Sequence, residues 1–473
     1  MGLVEAIEGR FECCGSENAM SARRKDIRRV DCGLILRARL HGAKAAGAGM
    51  ISLMLRFGLL LFVCAVHGMA AFGSESANLK LSVEQITFGP KHHFFGYIGQ
   101  SKTIPWDAAG RYILALRTGY HDHMPEPGDA AEVVLIDTEQ ANRVVRVDRS
   151  LAWNFQQGTM FYWNPASAGT QFFFNDRDPK TQQVFTVLYD IERHRRIREY
   201  RFEDVPVANG GVCPGGDFFL AINYGRMARL RPVTGYPGAA DPTADFAAPD
   251  NDGIFRVDVA TGRRKLLVSF RQLRDLLRNK HPRINEVGFY INHSLCSRSG
   301  DLVYFFARAR LGDSSMAVNA PCSIRTDGTD LKTHEYIGGH PEWAEGSRVI
   351  GRKGNRQVLY DVDRKEIVGQ IATPQIIPKP GGDISLSPDG KWFVNGYGSG
   401  GKNYYVIVRL SDGAHVRSQA FSRGPYTRGE LRIDPAPRWN RTSDAILVPG
   451  YTEDGTRQMF IIRVRRNAPD DYK

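Results

Sequence analysis

Cysteine is scarce in this chain. Four of its seven cysteines, Cys13, Cys14, Cys32 and Cys64, fall before residue 73, leaving Cys213, Cys296 and Cys322. An odd count of three leaves at least one thiol free, so no complete disulfide framework is implied, although export would permit one pairing. Buried structural cysteines are the first reading, and a ligand role for Cys296 is the lesser alternative. Long apolar runs are equally scarce: residues 54–73 hold one, short for a bilayer span, and nothing downstream is a candidate transmembrane helix. There is no Gly-rich phosphate loop, no Ser nucleophile elbow and no pair of carboxylates at a readable catalytic spacing. Lys and Arg are spread along turns and not gathered in stripes, which argues against nucleic acid as a partner. No organic cofactor is indicated.

The apolar run, MLRFGLLLFVCAVHGMAAFG (54–73), has one Arg, a hydrophobic centre and small residues before Ser74, the pattern of a secretory signal peptide. Cleavage after Gly73 is expected, with Ala71 two residues before it. Cys64 follows Leu-Phe-Val, which is not a lipoprotein site. Residues 1–53 are basic without a core pattern and read as disordered or untranslated, with Met50 or Met54 as the true start. The remainder, 74–473, is expected to be a periplasmic or secreted monomer. Residues 1–73 hold ten Lys/Arg and six Asp/Glu, so their removal lowers the net charge from +12 to +8. A modest positive balance on an exported protein suits an anionic substrate, although a solvated surface is its default meaning.

What the sequence has in quantity is one repeated unit: a polar turn followed by an apolar strand. It appears as PWDAAGRYILAL (105–116), WNPASAGTQFFFN (163–175), CPGGDFFLAIN (213–223), CSRSGDLVYFFA (296–307), WAEGSRVIGR (343–352), SPDGKWFVNGY (387–397) and WNRTSDAILVPGY (439–451). Most copies continue into a second alternating strand, as in IFRVDVATGRRKLLV or VLYDVDRKEIVGQI. Alternation of period two between Gly, Asp and Pro turns predicts short antiparallel strands. The spacing suits four-stranded blades of roughly 40–50 residues, and seven of them close a ring. The fold expected is all-β, a seven-bladed β-propeller in one domain. The strand at 81–89 is placed in the last blade, closing the ring. One long gap, in the third blade, holds a Pro/Gly/Ala-rich rim loop (231–252) and a helical stretch (270–280).

Several side chains stand out as site candidates. His92 and His93 begin a strand as neighbours, so they point to opposite faces and at most one reaches the channel or rim. Gln156 and Gln157 obey the same alternation. Asn175 ends a strand in Asn-Asp-Arg, which is also an ordinary turn with a local ion pair. Asn223, Tyr224, Arg226, Arg229, Arg231 and Tyr236 crowd into fourteen positions that open into the long loop. Arg226 and Arg229 could fork a carboxylate there, or stack on tyrosine at a blade edge. His121 and His123 read as a mobile loop, equally surface residues or acid/base groups. His293 and His340 precede the turn in successive units, positions that converge on the central channel, where they could also simply hydrogen-bond neighbouring blades.

Taken together, HHFFGYIGQ (92–100), AWNFQQGTMFYW (152–163), INYGRMARLRPVTGY (222–236), NDGIFRVD (251–258), INHSLCSRSGDLVYFF (291–306), GHPEWAEG (339–346) and SLSPDGKW (385–392) resemble the seven-bladed propellers related to oligogalacturonate lyase and ulvan lyase. The resemblance implies a secreted protein acting on an acidic polysaccharide or oligosaccharide by β-elimination at a uronic acid. Such a reaction needs a group to offset the carboxylate charge, a base for the C5 proton and an acid for the leaving O4. On that reading His92, His93 and Tyr224 are catalytic candidates. Gln156, Gln157, Asn175, Asn223, Arg226, Arg229, Arg231 and Tyr236 would hold substrate. The related lyases place metal-binding histidines before the blade turns, so His293, His340 and Asp383 would bind a divalent metal such as zinc, manganese or calcium. The chain departs from the pattern in having Asp383 and Ala436 where relatives often carry histidine. Two rival functions remain: a rhamnosidase-like glycoside hydrolase using one histidine of the 92–93 pair, and a non-catalytic TolB-like propeller that binds glycan or protein.

Overall fold

Strand alternation between turn residues resolves into seven antiparallel sheets, six of them built in chain order from the channel outward and the seventh completed by the first described strand. The computed structural model describes Ser76, residues 79–97, 99–309 and 318–466. The expected signal peptide and the segment before it therefore lie outside the described residues. The innermost strands of blades 1 to 7 are His92–Phe94, Tyr162–Trp163, Ala208–Val212, Tyr290–Cys296, Gly338–Trp343, Asp383–Leu386 and Arg438–Trp439. The chain is a seven-bladed β-propeller, as expected. Each repeated turn links the first and second strands of its blade.

Ring closure uses the strand Leu79–Gln85, two to four residues ahead of the expected span. It pairs antiparallel along Arg457–Arg466, from Leu79 opposite Arg466 to Gln85 opposite Phe460, and becomes the outermost strand of blade 7. The first described strand thus locks onto the last, leaving no open seam in the wheel.

The residue that opens the repeated turn also joins neighbouring blades. The indole Nε1 of Trp163 donates to Pro105 O at 2.7 Å, Trp343 to Leu295 O at 2.7 Å and Trp439 to Ser385 O at 3.0 Å. Each bond runs from one blade to the blade before it. Blades 3 and 4 carry Cys213 and Cys296 at the same position, and these form a disulfide, with Cys322 free and buried. The pairing closes a sequence separation of 83 residues, which in the chain-entropy treatment stabilises the fold by about 4–5 kcal/mol.

Two helices depart from the β pattern. Helix α1 (Tyr224–Leu230) opens the blade 3 insertion, capped by Asn223. Helix α2 (Phe270–Leu277) lies within the predicted helical stretch and starts with a capping box between Ser269 and Gln272. No helix among the described residues is long and apolar enough to cross a membrane.

The channel is filled. Between the first two strands of blade 1 the chain crosses the ring and touches its far walls. Tyr97 N donates to Gln156 O at 2.7 Å, and its hydroxyl donates to Ile384 O at 3.3 Å. The fully buried Gln100 donates to Val212 O at 3.1 Å and accepts from Cys296 N at 2.8 Å, while Ser101 Oγ donates to Cys296 O at 3.0 Å. This plug reaches blades 2, 3, 4 and 6, so a polymer cannot thread the ring. Ligands must meet one end of the channel or the other.

Candidate functional site

Antiparallel order places the start of every first strand and the end of every second strand on one rim. His92, His293, His340 and Asp383 all sit at or near first-strand starts, so they share that rim. The strand alternation does not divide them between two faces.

The predicted catalytic and binding residues separate into two groups, and the larger group is structural. His92 Nδ1 accepts from Arg457 N at 3.0 Å, and His93 Nδ1 lies 3.0 Å from Gln458 Oε1. The Gln458 amide nitrogen already donates to Lys91 O and Thr456 Oγ1, so the His93 ring carries the proton in that contact. Both rings are buried and tie blade 1 to blade 7. Burial is the main cause holding His93 down to about 4, and it lowers His92 as well. Tyr224 and Tyr236 stack with centroids 4.2 Å apart. The Tyr224 hydroxyl donates to Asn209 O at 3.1 Å, and Asn175 Nδ2 donates to Asn209 O at 2.8 Å and to the Tyr236 hydroxyl at 3.0 Å. All three are buried, and burial lifts the Tyr224 phenol well above its ordinary value. Asn223 caps α1 and donates to Asp241 and Asp252.

Arg226 is an internal clamp in place of the expected carboxylate fork. Its guanidinium is 1% exposed, lies over the Phe270 ring at 4.6 Å, and donates to the carbonyls of Phe289, Thr243, Phe246 and Ala247. It thereby fastens the long insertion to the propeller. Arg229 is closed in an ion pair with Asp241 at 2.9 Å. Gln156 Nε2 donates to Glu430 O and Arg432 O, each at 3.0 Å, bracing the connection into blade 7. Gln157 keeps a buried Oε1 with no hydrogen-bonding partner. His121 is also not a surface residue. It is 1% exposed, packed at 4.2 Å against Phe155 and 4.5 Å against Tyr426, and its Nε2 meets Leu431 O at 2.9 Å. Those two aromatic rings draw it in, whereas His123 stays exposed and stacks on Tyr120 at 4.1 Å.

The second group converges. His293, His340 and Asp383 come from blades 4, 5 and 6. The two imidazoles stand 5.5 Å apart edge to face. His340 Nδ1 lies 2.7 Å from Asp383 Oδ1, an ion-pair contact when the ring is protonated. Asp383 Oδ2 accepts from Ala436 N at 2.9 Å. Burial pushes the Asp383 carboxyl up, but His340 and the Ala436 N–H outweigh it and hold it below the usual range. Asp434 is raised, by burial first and then by the neighbouring Asp383, against the pull of Arg432 at 2.9 Å.

His293 has a left-handed backbone, φ 60°, at a bulge where the register shifts between Asn292 and Leu295. A non-glycine residue in that region is strained, and such strain clusters at functional sites. Among the described residues its ring makes no hydrogen bond. Burial first, then Arg308, His340 and Arg231, drive its pKa well below the ordinary value, so it is neutral at pH 7. Arg308 is the penultimate residue of the second strand of blade 4. It lies over Phe306 at 4.8 Å, donates through Nε to Asn319 Oδ1 at 2.9 Å, and is pushed down to about 10 by burial and then by Arg231. Among the described residues the buried Nε of Arg231 has no hydrogen-bonding partner. Among the described residues neither guanidinium has a carboxylate within ion-pair distance. Arg308 escaped the sequence reading, although a charged residue near the end of the apolar strand Leu302–Ala309 was a visible signal.

A metal fits this set poorly. Among the described residues no three His, Cys, Asp or Glu side chains are grouped so as to hold an ion. His340 Nδ1 is turned to Asp383, and the two unpaired guanidinium groups beside His293 oppose a dication.

No family model matches the chain, and no curated protein does. Among solved structures it is similar to an oligogalacturonate lyase in complex with manganese, at TM-score 0.53 and 12% identity, covering 83% of this chain and 95% of that one. It also matches the Cps50 (Swd1) β-propeller domain of Myceliophteria thermophila (TM-score 0.43, 14% identity, 78% and 97% covered) and TolB from Acinetobacter baumannii (TM-score 0.36, 12% identity, 77% and 86% covered). At such identities the likeness to the lyase is one of fold: this chain shares the architecture of a seven-bladed propeller.

Proposed function

We propose that the chain is an exported carbohydrate-active propeller that binds an acidic, uronate-bearing glycan on the His293 rim and cleaves it by β-elimination. The observation that carries this reading is the pair of unpaired guanidinium groups, Arg231 and Arg308, beside a neutral imidazole, His293. Two cations without a counter-charge suit a substrate carboxylate. Drawing charge toward them makes the adjacent C5–H more acidic, and His293 in its neutral form takes that proton. The C5–H electron pair becomes the C4=C5 double bond, the C4–O4 bond breaks, and O4 leaves with a proton supplied by His340, which Asp383 holds in place. No step is routed through a metal. Export is supported by the Cys213–Cys296 disulfide, which persists in an oxidising compartment.

Hydrolysis on the same scaffold is the second reading. The observation in its favour is the neighbouring Asp383 and Asp434, whose carboxyls are pushed in opposite directions, the usual sign of one acid and one base. The experiment is to incubate the protein with a panel of acidic glycans, including polygalacturonate, ulvan and alginate. A rise in near-ultraviolet absorbance from an unsaturated uronate supports elimination. New reducing ends without that absorbance overturn it in favour of hydrolysis. Binding with neither product makes the chain a lectin-like propeller.

A further inference from the structure

On the opposite end of the ring, where the plug emerges, lies a cavity of about 160 Å³. Its wall comes from the turns of blades 2, 3 and 7 and from Ser101, Lys102 and Ile104 of the plug. Nothing in the proposed reaction uses it.

Its chemistry is specific. Lys102 is exposed and, among the described residues, has neither a hydrogen bond nor an ion pair. Its backbone is left-handed, with φ 54°, a conformation that would favour glycine if the turn were only a turn. Arg441 is fixed through Nε to the carbonyls of Trp106 at 3.1 Å and Asp107 at 2.7 Å, and no carboxylate lies within ion-pair distance of it among the described residues. Tyr162 and Trp163 line the apolar side: the Tyr162 hydroxyl accepts from Thr103 Oγ1 at 3.2 Å, and the Trp163 Nε1 donor is taken by Pro105 O. Asp107 acts on Arg441 from outside the lining, and the lining itself, two cations and aromatic edges with no acid, describes a receptor for an anion carried on a ring. The volume is about half the low end of a drug-sized site, which limits the ligand to one ring.

We propose that this cavity binds a single ring-bearing carboxylate of monosaccharide size, at a site separate from the His293 rim. A free uronic acid is the simplest such ligand.

The test is calorimetric titration of the whole secreted chain with galacturonate, galactose and inorganic phosphate at low ionic strength, comparing wild type, Lys102→Gly and Arg308→Met. Lys102→Gly removes the strained backbone along with the charge, so its melting temperature should equal or exceed that of wild type, and lost binding cannot be ascribed to unfolding. The expected result is galacturonate binding at this site in wild type and Arg308→Met, at least ten-fold weaker in Lys102→Gly, with galactose not bound. The proposal is overturned if Lys102→Gly binds galacturonate as wild type does. It is equally overturned if binding disappears in Arg308→Met, which would assign it to the rim, or if phosphate alone binds. Should the lyase reading fail instead, wild type and Arg308→Met would titrate alike and the Lys102 effect would persist.

Discussion

Replacing Arg308 by Met separates a binding cation from a structural one. The guanidinium is pushed down from its ordinary value to about 10 by burial and then by Arg231, so holding it charged at pH 7 costs about 3 kcal/mol. Met keeps an unbranched stem against Phe306 and removes that cost. The substitution gives up the Nε–Asn319 hydrogen bond, about 1 kcal/mol, and the ring contact, about 0.5–1 kcal/mol. The balance leaves Arg308→Met more stable than wild type by about 1 kcal/mol, a rise in Tm on the order of 1–3 °C. Its affinity for an oligogalacturonate should move the other way. Loss of a charge-assisted hydrogen bond removes about 1.5–3 kcal/mol, a weakening of roughly 10- to 150-fold. Differential scanning calorimetry reads the first effect and titration of the oligosaccharide reads the second. A variant that melts well below wild type would mean that the guanidinium has a partner it cannot lose. A variant that binds within two-fold of wild type would remove Arg308 from the site.

The other predictions concern distinct parts of the molecule. His293→Gln should retain glycan binding but lower the elimination rate by about 10²–10⁴, the range for loss of a general base; an unchanged rate gives the proton to another group. Arg226→Ala should lower stability by about 3 kcal/mol by stripping carbonyl partners from the insertion, seen as a drop in the urea midpoint, with activity per folded molecule preserved. Cys213→Ser with Cys296→Ser should cost about 4 kcal/mol, and reductant should reproduce the loss in wild type; insensitivity to both would deny the disulfide a stabilising role. Acid should weaken the fold from about pH 6.5 downward. His93, His121 and His334 are held by burial to about 4, 3 and 4, while in the unfolded chain they take up protons near 6.5, so their contribution is present above that pH and is lost as pH falls. Each adds a slope of about 1.4 kcal/mol per pH unit in that window, and urea midpoints that coincide at pH 7 and pH 5 would contradict it.

The blades were legible because strand alternation and the repeated turn are local signals, and the ring follows from repeating them. Equivalent positions in successive units also placed His293, His340 and Asp383 near one another, since phase within a repeat translates directly into place around a ring. Arg226 misled for the opposite reason. Spacing cannot distinguish a guanidinium awaiting a ligand from one caged by four carbonyls, because the cage is supplied by Phe289, Thr243, Phe246 and Ala247, remote in sequence from the arginine or lying in a loop of no regular period. The His92–His93 pair drew attention as a doublet, but its partners Arg457 and Gln458 lie at the other end of the chain. Only ring closure brings them together.

The disulfide and the plug share one explanation. At the turn-opening position, blades 2, 5 and 7 use a tryptophan to reach back to the blade before, whereas blades 3 and 4 carry cysteine. That substitution coincides with the wall against which the plug lies. A Cβ on Gly211 would meet Ser294 O at 2.8 Å and the Gln100 amide at 3.1 Å, and one on Gly210 would meet Ser294 Oγ at 2.8 Å. Space between blades 3 and 4 is narrow there, and Gln100 uses Val212 O and Cys296 N from both sides of the seam. A two-atom sulfur bridge joins blades 3 and 4 in that narrow space, where a tryptophan would compete with the plug. The covalent link therefore falls where the repeat's usual stitch cannot, and it steadies the wall directly behind blade 4, whose innermost strand carries His293 three residues before Cys296. Breaking the bridge should thus disturb the rim as well as the fold. In the double-serine variant at a temperature where it remains folded, amide exchange should quicken at residues 292–296 and 100–101 before it does in blades 6 and 7. Uniform acceleration around the ring would show that the bridge stabilises only through the unfolded chain.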